Sequence, residues 1–83
     1  MQQILQSVLA LLDSVLGLGG RALSFGRDTP LLGAIAELDS MAVVTLIGSL
    51  EGLFGISIND DEISGDTFAS VASLVDFVAS KLV

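Results

Sequence analysis

Apolar residues recur at three- and four-residue steps in three separate stretches of this chain, and that repetition directs it toward a bundle of helices. The first stretch is Ile4, Val8, Leu11, Leu12 and Val15, with Leu5, Leu9 and Leu16 widening the stripe. The second is Val43, Ile47, Leu50 and Phe54, with Val44, Leu46 and Leu53 beside it. The third is Val71, Leu74, Val75, Val78 and Leu82. The spacing predicts one helix over 2–16 and a second from Asp39 or Ser40 to Phe54. A third follows a cap at Thr67, with Lys81 well placed near its C-terminal end. Gly17 and the Gly19-Gly20 pair stop the first helix, and Gly55 stops the second.

Between the first two helices, residues 17–38 carry five glycines, the only proline, Pro30, and no sustained period. A structureless connection of that length is unusual in a compact domain and is generally functional. Leu18, Leu23, Phe25, Leu31, Leu32, Ile35 and Leu38 are expected to pin it across the bundle. DDEIS (60–64) is expected to form one short helical turn, broken by Gly65 and Asp66.

The 83 residues make one domain, 1–83, and a chain of this size buries only about three-fifths of its unfolded surface. With no Cys, it has neither disulfides nor a thiolate metal site, so apolar packing must hold it together. A hydrophobic content of 52% suits that task. The mean hydropathy of +0.84 suggests a membrane protein, but no stretch approaches the roughly 18 uncharged apolar residues of a spanning helix. The N-terminus lacks a basic region and Asp13 interrupts its apolar run, unlike a signal peptide. The expectation is a soluble, cytoplasmic monomer.

Charge and composition exclude further classes. The net charge of -7 repels nucleic-acid backbones and anionic lipid headgroups and favours basic protein surfaces as partners. With no histidine to take a serine proton, a serine hydrolase is excluded, and no catalytic residue is expected. Gly17-Leu-Gly-Gly-Arg follows a helix, not a strand, and lacks the Lys-Ser/Thr of a phosphate loop. Asp60, Asp61, Glu62 and Asp66 do not match the alternating calcium loop, so they read as a solvated acidic face and not a metal site.

Asp39 and Ser40 stand directly before the second helix, and both are favoured N-caps. One reading therefore makes Ser40 a plain cap and the protein a small acidic helical interaction module without a prosthetic group. That reading predicts no modification of Ser40.

The surrounding residues favour another. LDSM followed by VVTLIGSLEGLFGISI, then DDEI, then TFASVASLVDFV, resembles the acyl carrier protein family. The resemblance is close from the second helix onward and holds by length and pattern before it. It implies an all-α, acyl-carrier-like four-helix bundle: three main helices, one short helix, and a long loop after helix one. It further implies that Ser40 bears 4'-phosphopantetheine, with Asp39 the acidic residue before it. The protein would hold an acyl group as a thioester on that arm and deliver it to partner enzymes. A separate phosphopantetheinyl transferase would activate Ser40, so the lack of histidine is no obstacle. A phosphodiester there would sit at a helix N-terminus, which favours negative charge.

This chain departs from the family pattern in ways that bear on its partners. Met41 replaces the usual Leu, nearly conserving volume, and Leu38 stands where many carriers have Gly. Ala42, Thr45 and Gly52 occupy positions that are often acidic, and Glu51 remains. Partners are therefore expected to dock on Met41, Val44, Thr45 and Gly48 with Glu51, while the turn at Asp60, Asp61 and Glu62 steers them. Gly48 and Gly52 share a helical face, and each costs about 1 kcal/mol relative to Ala. They either admit a close approach, by a partner or an acyl chain, or are tolerated because the core covers the cost.

DTPLLGAIAELDSMAVV with DDEISGDTFASVASL also resembles the free-standing carriers associated with exosortase-linked extracellular polysaccharide gene sets in bacteria. That resemblance implies an acyl-activating ligase, or acyltransferase and synthase enzymes, among the partners. A peptidyl or polyketide-type carrier is the alternative within the family, and the acidic character favours an acyl carrier.

Overall fold

The computed structural model describes residues 2–82, with the side chains of Gln2 and Asp60 outside that description. The terminal residues of the expected 1–83 domain, Met1 and Val83, also lie outside it. Three α-helices are present: α1 (Gln2–Leu16), α2 (Ser40–Phe54) and α3 (Val71–Leu82). Two 3-10 turns, Arg21–Ser24 and Asp60–Glu62, interrupt the connections. The expected short fourth helix is the three-residue turn Asp60–Glu62, shorter than the predicted 60–64. The long loop contains the other turn, which its apolar pattern did not announce.

α1 packs along both α2 and α3, which touch each other less. Val8, Leu12, Leu46, Leu50, Val71, Leu74, Val75 and Val78 close the centre, and Leu18, Leu31, Leu38 and Phe68 complete it from the loops. On α2 the expected stripe is buried only in part: Leu46 and Leu50 are fully covered, whereas Val44 and Leu53 face outward.

α1 and α2 end alike. Gly17 and Gly55 adopt left-handed conformations (φ 64° and 65°), and the N–H groups of Leu18 and Ile56 donate back to the carbonyls of Asp13 and Glu51 (3.0 and 3.2 Å). In each case the same acidic residue also catches the returning chain with its side chain. The Asp13 carboxylate accepts from the amides of Gly20 (2.8 Å) and Ala22 (3.2 Å), and the Glu51 carboxylate accepts from the Ile58 amide (2.8 Å). Asp13, which interrupts the apolar run in the sequence, therefore ties down the start of the long loop.

The loop is pinned in part as expected: Leu18, Leu31 and Leu38 are buried and Phe25 and Ile35 half-buried, whereas Leu23 and Leu32 are exposed, and backbone bonds tie it to the segment before α3. The amides of Leu31 and Leu32 donate to the carbonyls of Ala69 and Phe68 (2.9 and 3.0 Å), and those of Val71 and Ala72 donate to Thr29 and Arg27 (3.0 and 2.8 Å). Arg27 pairs with Asp76 (2.9 Å) and Arg21 with Glu37 (2.6 Å).

The start of α3 corrects an expectation. The cap is Ser70, not Thr67, whose hydroxyl instead accepts from the Ser64 amide (3.3 Å) in the preceding turn. Ser70 Oγ accepts from the Ser73 amide (3.2 Å) and Ser73 Oγ accepts from the Ser70 amide (3.0 Å). This reciprocal box is the serine version of the Ser-x-x-Glu pattern.

Candidate functional site

Asp39 caps α2. Its backbone is extended (φ -109°, ψ -175°), and its Oδ1 accepts from the Ala42 amide at 2.9 Å. Ser40 is therefore the first helical residue, and the reading of Ser40 as a plain cap is overturned because Asp39 fills that role. The Ser40 side chain is exposed, and its hydroxyl has no hydrogen-bond partner among the described residues. Neither do the amides of Ser40 and Met41, which point out of the helix start beside it.

Ser40 also borders a groove of about 400 Å³ lined by Leu32, Val43, Ile63, Ser64, Gly65 and Phe68. Its walls come from α2, the long loop and the segment between Asp60–Glu62 and α3. It is mostly apolar, with Ser40 and Ser64 at its rim. A larger cleft of about 540 Å³, lined by Leu18, Arg21, Phe25, Ile35 and Glu37 among others, is built from the long loop. Ser40 is not among its lining residues.

The residues expected to meet partners fall into two groups. Met41 and Val44 are 74% and 66% exposed, and Thr45 and Gly48 are exposed beside them. The Thr45 hydroxyl donates to the Met41 carbonyl (3.2 Å). A Cβ at Gly48 or Gly52 would meet nothing within 4 Å, so neither glycine is needed for packing inside the bundle. The acidic residues are more committed. Glu51 holds the Ile58 amide. Glu62 accepts from the Asn59 amide (2.9 Å) and pairs with Lys81. Lys81 first, and Asn59 second, hold the Glu62 carboxyl below its ordinary range. Asp61 is exposed, and the Asp60 side chain lies outside the description.

Residues 6–78 match the phosphopantetheine attachment site family. The solution NMR structure of a holo acyl carrier protein from Nitrosomonas europaea is 49% identical and superposes with a TM-score of 0.90, over 99% of this chain and 98% of that one. This chain belongs to the acyl carrier protein family. Among curated proteins no match was found.

It is accordingly a carrier, and its covalent prosthetic group is 4'-phosphopantetheine. The start of α2 fits that group: a free hydroxyl to esterify, two unpartnered amides to receive phosphodiester oxygens, and an apolar groove leading away. Recognition of the Asp-Ser pair needed only the sequence. Reasoning from sequence did not reveal that both amides are free or that Glu51 turns to the chain after α2.

Proposed function

We propose that Ser40 is the attachment point of 4'-phosphopantetheine, within a single carrier domain spanning 1–83. The observation that supports it is the unpartnered Ser40 hydroxyl at the first position of α2, beside two free amides. Asp39 takes the capping role and so leaves that hydroxyl available. A phosphopantetheinyl transferase supplies the base that this histidine-free chain lacks. Ser40 Oγ bonds to the phosphorus of coenzyme A that bears the pantetheine, the pyrophosphate bond breaks, and adenosine 3',5'-bisphosphate leaves. When bound, the arm supplies a terminal thiol that holds an acyl group as a thioester.

In this reading the protein performs no chemistry of its own. It is a cytoplasmic, monomeric carrier that delivers acyl groups from an acyl-activating ligase, or an acyltransferase, to synthase-type enzymes. Support comes from the family, and from the absence among the described residues of any helix long and apolar enough to cross a membrane. Asp60, Asp61 and Glu62 supply long-range steering, while Glu51 acts mainly by holding the end of α2.

The test is the intact mass after incubation with coenzyme A and a broad-specificity phosphopantetheinyl transferase, beside a folded Ser40→Ala control. One phosphopantetheine added to the wild type and none to the control is the expected result. An addition that persists in Ser40→Ala would move the site elsewhere.

A further inference from the structure

We propose that Arg21, through its ion pair with Glu37, is a positioning residue for arm transfer: it holds the chain entering α2 so that the Ser40 hydroxyl stays aimed at the enzyme that loads it. This role rests on Ser40 as the attachment point.

The open start of α2 has few fastenings of its own. Asp39 and Ser40 are exposed, Met41 is 74% exposed, and packing of the helix against the core begins only at Ala42 and Val43. The Asp39 carboxylate bonds the Ala42 amide within the same turn, so it closes that turn without tying it to the rest of the molecule. Leu38, which is buried, is the nearest side chain before Ser40 that does. A single buried side chain sets how deep the entering chain sits but leaves it free to turn about that point.

A second hold stands one residue earlier. The Glu37 carboxylate accepts from the Arg21 guanidinium at 2.6 Å. Its own amide first, and Arg21 second, keep that carboxyl below its ordinary range, so the pair is ionised at neutral pH. Arg21 is itself fixed in place. Its Nε donates to the Leu18 carbonyl (3.2 Å), and the amides on either side of it, Gly20 and Ala22, are held by the Asp13 carboxylate. A run of bonds therefore leads from Asp13 in the last turn of α1, through Arg21 and Glu37, to a point three residues before Ser40, at most about 10 Å of extended chain. Two holds, at Glu37 and Leu38, stop the turning that one would allow.

Energetics separate this role from folding. Exposed ion pairs contribute little to stability, so breaking this one leaves the bundle intact. A misplacement of about 1 Å, however, can cost a transfer reaction about 100-fold. Arg27 makes the informative contrast: its pair with Asp76 joins the loop to α3, where four backbone hydrogen bonds between residues 27–32 and 68–72 already fasten it.

The experiment measures kcat and KM for arm transfer from coenzyme A by a broad-specificity transferase, with this protein as the varied substrate. The proteins are the wild type, Arg21→Met, Glu37→Ala, the double variant, and Arg27→Met as the control. Arg21→Met and Glu37→Ala are each expected to lower kcat about three- to fivefold with KM within about twofold, because docking is untouched and only the aim of Ser40 is loosened. The double variant should be no slower than either single one, since both changes break the same tie. Arg27→Met should change neither constant. By NMR relaxation, the order parameters of the Ser40 and Met41 amides should fall in Arg21→Met from the rigid value of about 0.85, with those of α1 and α3 unchanged. Thermal unfolding confirms that each variant is folded, and Glu37→Ala gives the same readouts should Arg21→Met be unstable.

An unchanged kcat in both single variants, or a fall with undiminished order parameters, would overturn the positioning role while leaving Ser40 in place. Effects that multiply in the double variant, or that appear in KM alone, would mean that Arg21 and Glu37 touch the transferase separately, and would overturn it too. A wild type that accepts no arm would overturn the Ser40 assignment, and the positioning role with it.

Discussion

At the start of α3, Ser70 and Ser73 bond each other's amides, and the amides of Val71 and Ala72 reach carbonyls of the long loop. At the start of α2, Asp39 satisfies the Ala42 amide alone, leaving the Ser40 hydroxyl and the Ser40 and Met41 amides unused by the described residues. Both helices begin in a short polar segment, but one start is saturated and the other is open. Saturation makes α3 an anchor for the long loop. Openness is what a covalent phosphodiester needs, because a hydroxyl engaged as a cap would have to give up its amide before reacting.

The contrast is broken most directly by exchanging roles. Ser40→Ala is expected to abolish arm incorporation completely while changing stability by no more than about 0.5 kcal/mol, since Ser40 is exposed and caps nothing. Ser70→Ala should do the reverse, costing about 1 kcal/mol and leaving incorporation intact. Urea unfolding and intact mass, run on both variants, separate the two. A Ser40→Ala protein as destabilised as Ser70→Ala would mean that Ser40 contributes to capping after all.

Asp39 sharpens the comparison because, among the described residues, it is the only side-chain cap at the start of α2. Asp39→Ala should cost about 0.5–2 kcal/mol, and Asp39→Asn, which keeps an acceptor oxygen, should recover most of it. Loading at Ser40 should slow in the alanine variant, whose first turn frays, and recover in the asparagine variant. If both load equally slowly, the charge of Asp39 matters to the transferase beyond its capping oxygen.

These differences show what the sequence carried and what it did not. The bounds of α1 and α2 were legible because the apolar step stops at a glycine in each case, and Gly17 and Gly55 adopt the left-handed conformation those stops require. The start of α3 was misplaced because Thr67, like Ser70, is of a type favoured as a cap. Spacing does not separate them either, since Thr67-x-x-Ser70 repeats the pattern of Ser70-x-x-Ser73; what decides is that Thr67 closes the turn from Ser64 while the Val71 and Ala72 amides reach the long loop. Asp13 and Glu51 bond amides seven residues onward, beyond any helical period. The ties of Leu31 and Leu32 to Ala69 and Phe68 join segments distant in sequence, which no local pattern encodes. At the site, the Asp39-Ser40 pair was legible as a motif, while the vacancy of the neighbouring amides depends on what the rest of the chain leaves unfilled.

The smallest expected effect concerns the far end of α3. There Lys81 pairs with Glu62, fastening α3 to the turn that leads into the groove wall at Ile63 and Ser64. α3 is thus held at both ends, in contrast to the open start of α2. The Glu62 carboxyl is held below its ordinary 4.5, chiefly by Lys81 and then by the Asn59 amide. A folded-state value below the unfolded one means stability that is present above the unfolded value and lost as pH falls through the folded one. The contribution therefore disappears only below about pH 4.5, and it is small because the pair is partly exposed to solvent. Lys81→Gln removes the larger cause, so the Glu62 carboxyl resonance should titrate closer to 4.5 by NMR, with the Asn59 bond keeping it slightly low. Loading of Ser40 at neutral pH should be unaffected, because the start of α2 does not depend on this fastening. A loading defect in Lys81→Gln would show that the groove wall and the open helix start are coupled, and that the two ends of the comparison are not independent.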